Sequence, residues 1–430
     1  MVFDPQSYQA GVPYQALAAL RRTSPVCWIE EAEVLGWPAG PGYWAVFRHA
    51  DVKAVLRDSK RFSSWVGATQ IRDPDSAEDL AYVRRMMLNM DPPDHTRLRT
   101  LVASAFTRQA VTALDVATRR RAADLVDAVQ DREEFDFVDD LSADLPLATL
   151  AEVMGVPDSD RYLLHDWSNR VIGYQDDEYS LGVAVDPSPA TTMAQASTAL
   201  RPTPDAAGRM PNPRSRAGMP DLYAYAHELA RYKRDHLGTD VMSMVLRARD
   251  DGRAVTDEEF ENLFWLFSVA GNETLRNGIP GGMLCLLQHP DQYRRLRHDP
   301  TLVGSAVEEM LRFWPPVIHF RRTATEDCQL GGERIGSGDK VVVYHASANR
   351  DESVFDDPDR FDVARSPNDH LSFGFGVHFC IGAHLARLQM RALFSEVVTR
   401  LPELRLAGAV SHLTSNFQNG LKHLPVRVAR

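Results

Sequence analysis

The sequence predicts a mainly α fold with a small antiparallel β region, and three observations carry that prediction. Apolar residues recur at helical spacing through most of 110–180 and again from 256 to 289. After residue 316, the runs VIHFRRTATED, CQLGGERI and KVVVYHASA alternate apolar with polar residues between glycine-rich turns, the pattern of short paired strands. No internal repeat is present, and a chain of 430 residues that is 44% hydrophobic buries a large core. All of 1–430 is read as one domain.

Each element follows from local chemistry. GYWAVFRH and the following DVKAVLRD read as a short strand leading into a helix. Residues 65–90 hold no period. After DPPD, Leu98, Leu101, Val102 and Ala105 form one helical stripe with Asp94 as the expected N-cap, and His95 and Arg99 lie four apart in its first turns. The 186–220 stretch holds seven of the 26 prolines, which predicts a long mobile loop or, alternatively, a linker.

From Thr256, T-D-E-E forms a capping box with Glu259, and the pattern runs on to His289-Pro290, a helix of about 50 Å. Inside it, Ala270-Gly271-Asn272-Glu273-Thr274 interrupts an apolar run with one glycine and three polar residues. A buried glutamate needs a partner, so this defect marks a candidate site. The next helix carries Glu309 and Arg312 three apart and stops at Trp314-Pro315-Pro316.

Charge and cysteine usage exclude several functions. A formal net charge of -11 lacks the cationic surplus that binding nucleic acid requires. Cys27, Cys285, Cys328 and Cys380 are too far apart for a disulfide framework or a paired zinc motif, which suits a reducing cytoplasm. The N-terminus has no signal-peptide pattern, and no segment reaches 18 uninterrupted apolar residues, so a soluble protein without a membrane anchor is expected.

Cys380 stands where HLSFGFGVHFC gives way to the helical pattern IGAHLARLQMR. A helix start favours thiolate over thiol. Gly374, Gly376 and Gly382 leave room for a backbone or a flat ligand to come close, and Phe373 and Phe379 keep water away. Three roles remain open on these residues alone: a nucleophile paired with His378 or His384, a structural thiol, or one axial thiolate to a metal held in a cofactor.

F-G-F-G-V-H-F-C-I-G resembles the cysteine loop of the cytochrome P450 superfamily, with Phe373, Gly376, Cys380 and Gly382 at the family's positions. A-G-N-E-T, E-M-L-R and P-D-R-F precede it in the family's order, and the resemblance runs from about residue 40 to the C-terminus. It implies a cytochrome P450 fold with a long central helix crossing haem b (iron protoporphyrin IX), whose iron takes Cys380 as its protein ligand.

The same resemblance assigns the rest of the site. His95, Arg99, Arg322 and His378 are expected at the haem propionates, with Phe373, Gly374 and Gly382 in the cysteine loop. Ala270 and Gly271 are expected to face the iron, Gly271 leaving room for dioxygen. Thr274 and Glu273 are the expected catalytic alcohol and acid that deliver protons. Glu309, Arg312 and Arg360 form the expected structural ion-pair triad. Trp65, Ile172, Leu266, Phe267, Val317 and Ile318 are expected to line an apolar substrate pocket, under a lid at 186–220.

The implied activity is dioxygen-dependent hydroxylation of a hydrophobic small molecule, fed by a ferredoxin and its reductase. Arg387 and Arg391, four apart, are expected either in a basic docking face or as ordinary solvated charges. Within the family, FWLFSVAGNETLRNGIPGGML, HFRRTATED and SNFQNGLKHLPV look most like hydroxylases of steroid side chains and methyl-branched lipids. Terpenoids, or tailoring oxidation of a bulky natural product, are the alternatives, and a non-enzymatic haem sensor would not need Glu273 with Thr274.

Overall fold

The computed structural model describes residues 2–429 except 36, 183–186, 207, 209 and 251. The chain is mainly helical with small sheets, as its patterning predicts. It forms two compact units, one from Met1–Arg72, Val111–Leu145 and Thr274–Arg430, the other from Asp73–Ala110 and Pro146–Glu273. Each unit is assembled from separate stretches of the chain.

In the first unit, a five-stranded sheet runs in the order Val26–Ile29, Tyr43–Val46, Lys340–Tyr344, His319–Ala324, Phe62–Ser63. Lys340–Tyr344 is central because all of KVVVY is buried and β-branched residues suit a covered strand. Its pairing with His319–Ala324 is antiparallel, as expected, but its pairing with Tyr43–Val46 is parallel, Val342 opposite Ala45. Cys328–Leu330 and Glu333–Ile335 pair as a separate hairpin.

The main core of this unit joins the helices Val303–Phe313 and Ala383–Arg400 through Met310, Phe313, Phe394 and Val397, with Ile279 and Met283 from Glu273–Gln288. These two are called here the ion-pair helix and the cysteine helix. Trp314 ends the first, its Nε1 donating to the Asn419 carbonyl at 2.9 Å.

In the second unit, the helix Arg161–Ile172, called the brace helix, packs on Pro220–Asp235 and Asp257–Ala270 through an aromatic trio. Trp167 lies 5.4 Å from Tyr225 and 6.0 Å from Phe264 between ring centroids. Its Nε1 donates to Asp221 at 2.9 Å, and Arg170 binds both Asp166 and Asp221. Three charges stay buried here because they are paired.

Three sequence expectations need correction. The capping box at Thr256 and Glu259 forms, but the helix it starts ends at Ala270, and a second begins at Glu273. The stretch 186–220 contains a helix, Thr192–Thr198, and a 3-10 turn, Arg216–Gly218, while its residues 186, 207 and 209 lie outside the described residues. Asp160 anchors that helix from 31 positions upstream, accepting from Thr191 N at 2.9 Å and Oγ1 at 2.6 Å. Asp94 is the first residue of Asp94–Ala103, with Pro93 at the cap and no side-chain cap bond.

Among the described residues, no helix is long and apolar enough to cross a membrane.

Candidate functional site

The first unit builds a braced loop around one cysteine. Asn349 holds the loop's start, accepting from Leu371 N and donating to Ser372 Oγ, each at 2.7 Å, and Ser372 Oγ donates to the Leu311 carbonyl at 2.6 Å. Cys380 N then donates to the Phe373 carbonyl at 2.8 Å and closes the turn. Gly376, at φ +72°, passes so near the Leu56 carbonyl that a Cβ would come within 2.4 Å of its oxygen. No other residue fits there without moving the backbone.

Cys380 is exposed at the end of this loop, which also carries Phe373 and Phe379, their ring centroids 6.2 Å apart. Gly382 follows, where a Cβ would meet Cys380 Sγ at 4.0 Å, and the cysteine helix begins at Ala383. Cys285 is the contrast: complete burial pushes its thiol up to about 12, so it is an inert core residue. The structural-thiol role belongs to Cys285.

Carboxylates of the ion-pair helix hold the loop. Glu308 accepts from Arg387 at 2.7 and 2.8 Å and from His370 at 3.2 Å, and Arg387 lies 4.4 Å over the Phe373 ring. Burial alone would raise the Glu308 carboxyl, but His370 and Arg387 pull it down to about 2. Glu309 and Arg312 are fully buried and meet at 2.7 and 2.8 Å.

The third member of that triad differs from expectation. Arg365 Nε donates to Glu309 Oε1 at 3.1 Å, whereas the Arg360 side chain is exposed and only its carbonyl takes part, accepting from Arg312 and Arg365. The five residues that follow Arg360 bring Arg365 back to the carboxylate.

Of the expected propionate cations in this unit, His378 Nε2 bonds Ser64 Oγ at 3.2 Å, and Arg322 is buried with Nη1 donating to the Arg321 carbonyl at 2.8 Å. His345 lies near Arg322 and bonds the Leu371 backbone. Burial, then the Arg322 charge, lowers its pKa to about 4. Of the expected pocket residues, Trp65 is 41% exposed, Val317 bridges Gln418, and Ile318 is fully buried in the core with Tyr43 and Tyr344. Phe417, part of SNFQNGLKHLPV but not among the expected pocket residues, accepts through its carbonyl from Ile318 N at 2.8 Å and stacks edge-on with Phe320.

The second unit carries the other half of the motifs. His95 is buried and Arg99 half-buried one turn later on Asp94–Ala103. Ala270 is exposed, Leu266 and Phe267 are buried, and Ile172 is half-buried at the end of the brace helix. Phe267 packs against Phe106, 5.6 Å between centroids, a neighbour the sequence did not mark. Glu273 is 1% exposed, and Thr274, the next residue, is half-buried at the start of the first unit's last stretch. At Gly271 a Cβ would strike Leu150 Cδ1 at 2.7 Å, so a side chain there would have to displace Leu150.

The donor set fits a haem held by one thiolate. An exposed cysteine, on a loop that carries two aromatic rings and lacks side chains at three positions, presents one soft ligand. Zinc would need further ligands, and the His/Asp grouping of that kind among the described residues, Asp136, Asp139 and His423, does not include Cys380.

Comparison with known proteins agrees with this chemistry. The family model described as Cytochrome P450 matches residues 34–402. The chain is 34% identical to the Steroid C26-monooxygenase of Rhodococcus jostii, over 98% of this chain and 83% of that protein. It is 35% identical to the Linalool 8-monooxygenase of Pseudomonas putida, over 98% of this chain and 97% of that one. A Mycobacterium marinum cytochrome P450 solved in complex with pseudoionone matches with a TM-score of 0.83 at 34% identity, over 98% and 97% of the two chains.

Proposed function

The chain belongs to the cytochrome P450 family, and on that premise we propose that it hydroxylates a compact hydrophobic molecule of the steroid or terpenoid kind. It is a monooxygenase with haem b as cofactor. The observation that carries the assignment is the exposed Cys380 on a loop braced by Glu308, Glu309 and Asn349.

Haem b, when bound through the Cys380 thiolate, supplies dioxygen activation and the oxidation of a C–H bond. Phe373 and Phe379 lie on the same loop and, with haem bound, would help to shield the sulfur from water. Arg322 and His378 are proposed to neutralise propionates, and the braces at Glu308 and Glu309 fix the loop so that the sulfur is presented in one position. For His95, Arg99 and Ala270 the haem-contact role rests on motif resemblance alone. Glu273 is proposed to supply protons and Thr274 Oγ1 to donate the hydrogen bond that directs them.

Two relatives' names support the substrate class, one acting on steroids and one on linalool, and a third was solved with pseudoionone. The apolar character of Leu266, Phe267, Val317 and Phe417 agrees with a ligand held mainly by burial. Electrons are proposed to come from a ferredoxin and its reductase in the cytoplasm, where four free cysteines stay reduced. The segment 186–220 is proposed as the pocket lid.

The test is a binding screen of steroids, monoterpenoids, branched fatty acids and larger natural products, read by the low-to-high-spin change of the haem spectrum. A steroid or terpenoid is expected to give the tightest complete shift. Shifts only with fatty acids or bulky natural products would overturn the substrate class.

A further inference from the structure

Ser168 of the brace helix sits against the point where the helix Asp257–Ala270 breaks off. Gly271 N still donates to the Phe267 carbonyl at 3.0 Å, so the last turn closes normally. The next carbonyl is that of Ser268, which an unbroken helix would offer to the Asn272 amide. Here it accepts instead from Ser168 Oγ at 3.1 Å.

The same hydroxyl serves the other side of the break. Asn272 Nδ2 donates to Ser168 Oγ at 3.3 Å, so one oxygen uses its proton on Ser268 and a lone pair on Asn272. All three residues are buried: Ser168 and Ser268 are 0% exposed and Asn272 is 1% exposed. Asn272 Oδ1 is buried without a hydrogen-bond partner among the described residues, so an amide is kept here at a cost and its anchored end is Nδ2. The next residue is Glu273.

The brace helix cannot easily rotate about its axis. Trp167 Nε1 donates to Asp221, Arg170 Nε donates to Asp166 at 3.0 Å, and Arg201 donates twice to Asp166 at 3.0 and 2.9 Å. Ser168 is therefore presented to the break from a fixed support.

We propose that Ser168 is a positioning residue: its hydroxyl splices the break at 271–272 and thereby sets where Glu273 begins the next helix and where its carboxyl lies. This rests on the monooxygenase reading only for the proton-delivery consequence, since the splice itself is independent of turnover.

Ser168→Thr and Ser168→Val test it, because the two side chains share a shape and differ in the hydroxyl, and Ser168→Ala makes the same comparison with Ser168 itself should the larger pair not pack. Hydrogen exchange on the haem-loaded protein is read over the peptide spanning 266–276. Exchange there is expected to rise about tenfold in Ser168→Val and to stay at the original level in Ser168→Thr. With a ferredoxin system, product formed per NAD(P)H is expected to fall at least about threefold in the valine variant, with substrate affinity from the spin shift changed less than about twofold.

Equal exchange in the two variants would overturn the splice. Faster exchange with unchanged product per NAD(P)H would overturn its link to proton delivery. Failure of the original protein to oxidise any substrate would count against the monooxygenase reading and leave the exchange result to decide the splice.

Discussion

Glu308 and Arg387 meet in two hydrogen bonds, Nε to Oε1 at 2.7 Å and Nη2 to Oε2 at 2.8 Å, joining the ion-pair helix to the cysteine helix. The same carboxylate binds His370 at the start of the cysteine loop, so one residue ties down both ends of it. Arg391 reaches Glu308 only at 3.6 Å and is 46% exposed. The two arginines therefore have different jobs, although the sequence presents them alike.

Charge reversal separates those jobs. Arg387→Glu places two carboxylates together and is expected to lower stability by about 1–2 kcal/mol, seen as a lower Tm and faster haem loss. Arg391→Glu is expected to leave Tm unchanged and to slow reduction by ferredoxin in stopped-flow measurements. If Arg391→Glu reduces at the original rate, Arg391 takes no part in docking.

The triad makes a sharper stability prediction. Glu309→Ala leaves Arg312 fully buried without its carboxylate and is expected to cost about 3–5 kcal/mol or to prevent folding. Arg365→Ala is expected to cost about 1–2 kcal/mol, and Arg360→Ala, whose side chain is exposed, less than about 0.5 kcal/mol. Denaturant titration of the three variants checks the order, and equal losses at Arg360 and Arg365 would contradict it.

Much of this was legible because the signals are local. The capping box at Thr256 needs residues three apart, the strand KVVVY is apolar throughout, and the cysteine loop is contiguous. What escaped depends on partners far along the chain. The helix at Thr192–Thr198 is anchored by Asp160, the break at Gly271 is packed by Leu150 and spliced by Ser168, and Arg365 replaces Arg360 because the path of the chain after Arg360 decides which arginine returns to Glu309. Spacing cannot report those contacts, so the long helix was continuous and the proline-rich stretch featureless on sequence grounds.

Two buried histidines make stability depend on pH. Burial, then the neighbouring His345, lowers the His319 pKa to about 3, and burial, then Arg322, lowers that of His345 to about 4, from 6.5. Between these values the unfolded chain binds more protons than the folded one, so stability is full above 6.5 and falls as pH drops towards 4 and then 3. Each histidine contributes about 1.4 kcal/mol per pH unit inside its window. Denaturation at pH 7, 6 and 5 should show this loss, and His319→Phe should make the slope shallower; an unchanged slope would contradict the assignment.

Thr274→Ala removes the hydroxyl proposed to direct protons. NAD(P)H consumption with a ferredoxin system is expected to continue while product per NAD(P)H falls at least about threefold. Spin-shift affinity for the substrate should change little. Unaltered yield per NAD(P)H would remove Thr274 from proton delivery.

The central claim is that Cys380 carries the haem iron, and the spectrum of the reduced, carbon-monoxide-bound protein tests it most directly. The expected result is a strongly red-shifted Soret band in the purified protein, lost in Cys380→Ser while Cys285→Ser retains it. A colourless protein that cannot be reconstituted with haem, or a red-shifted band that survives Cys380→Ser, would contradict the account.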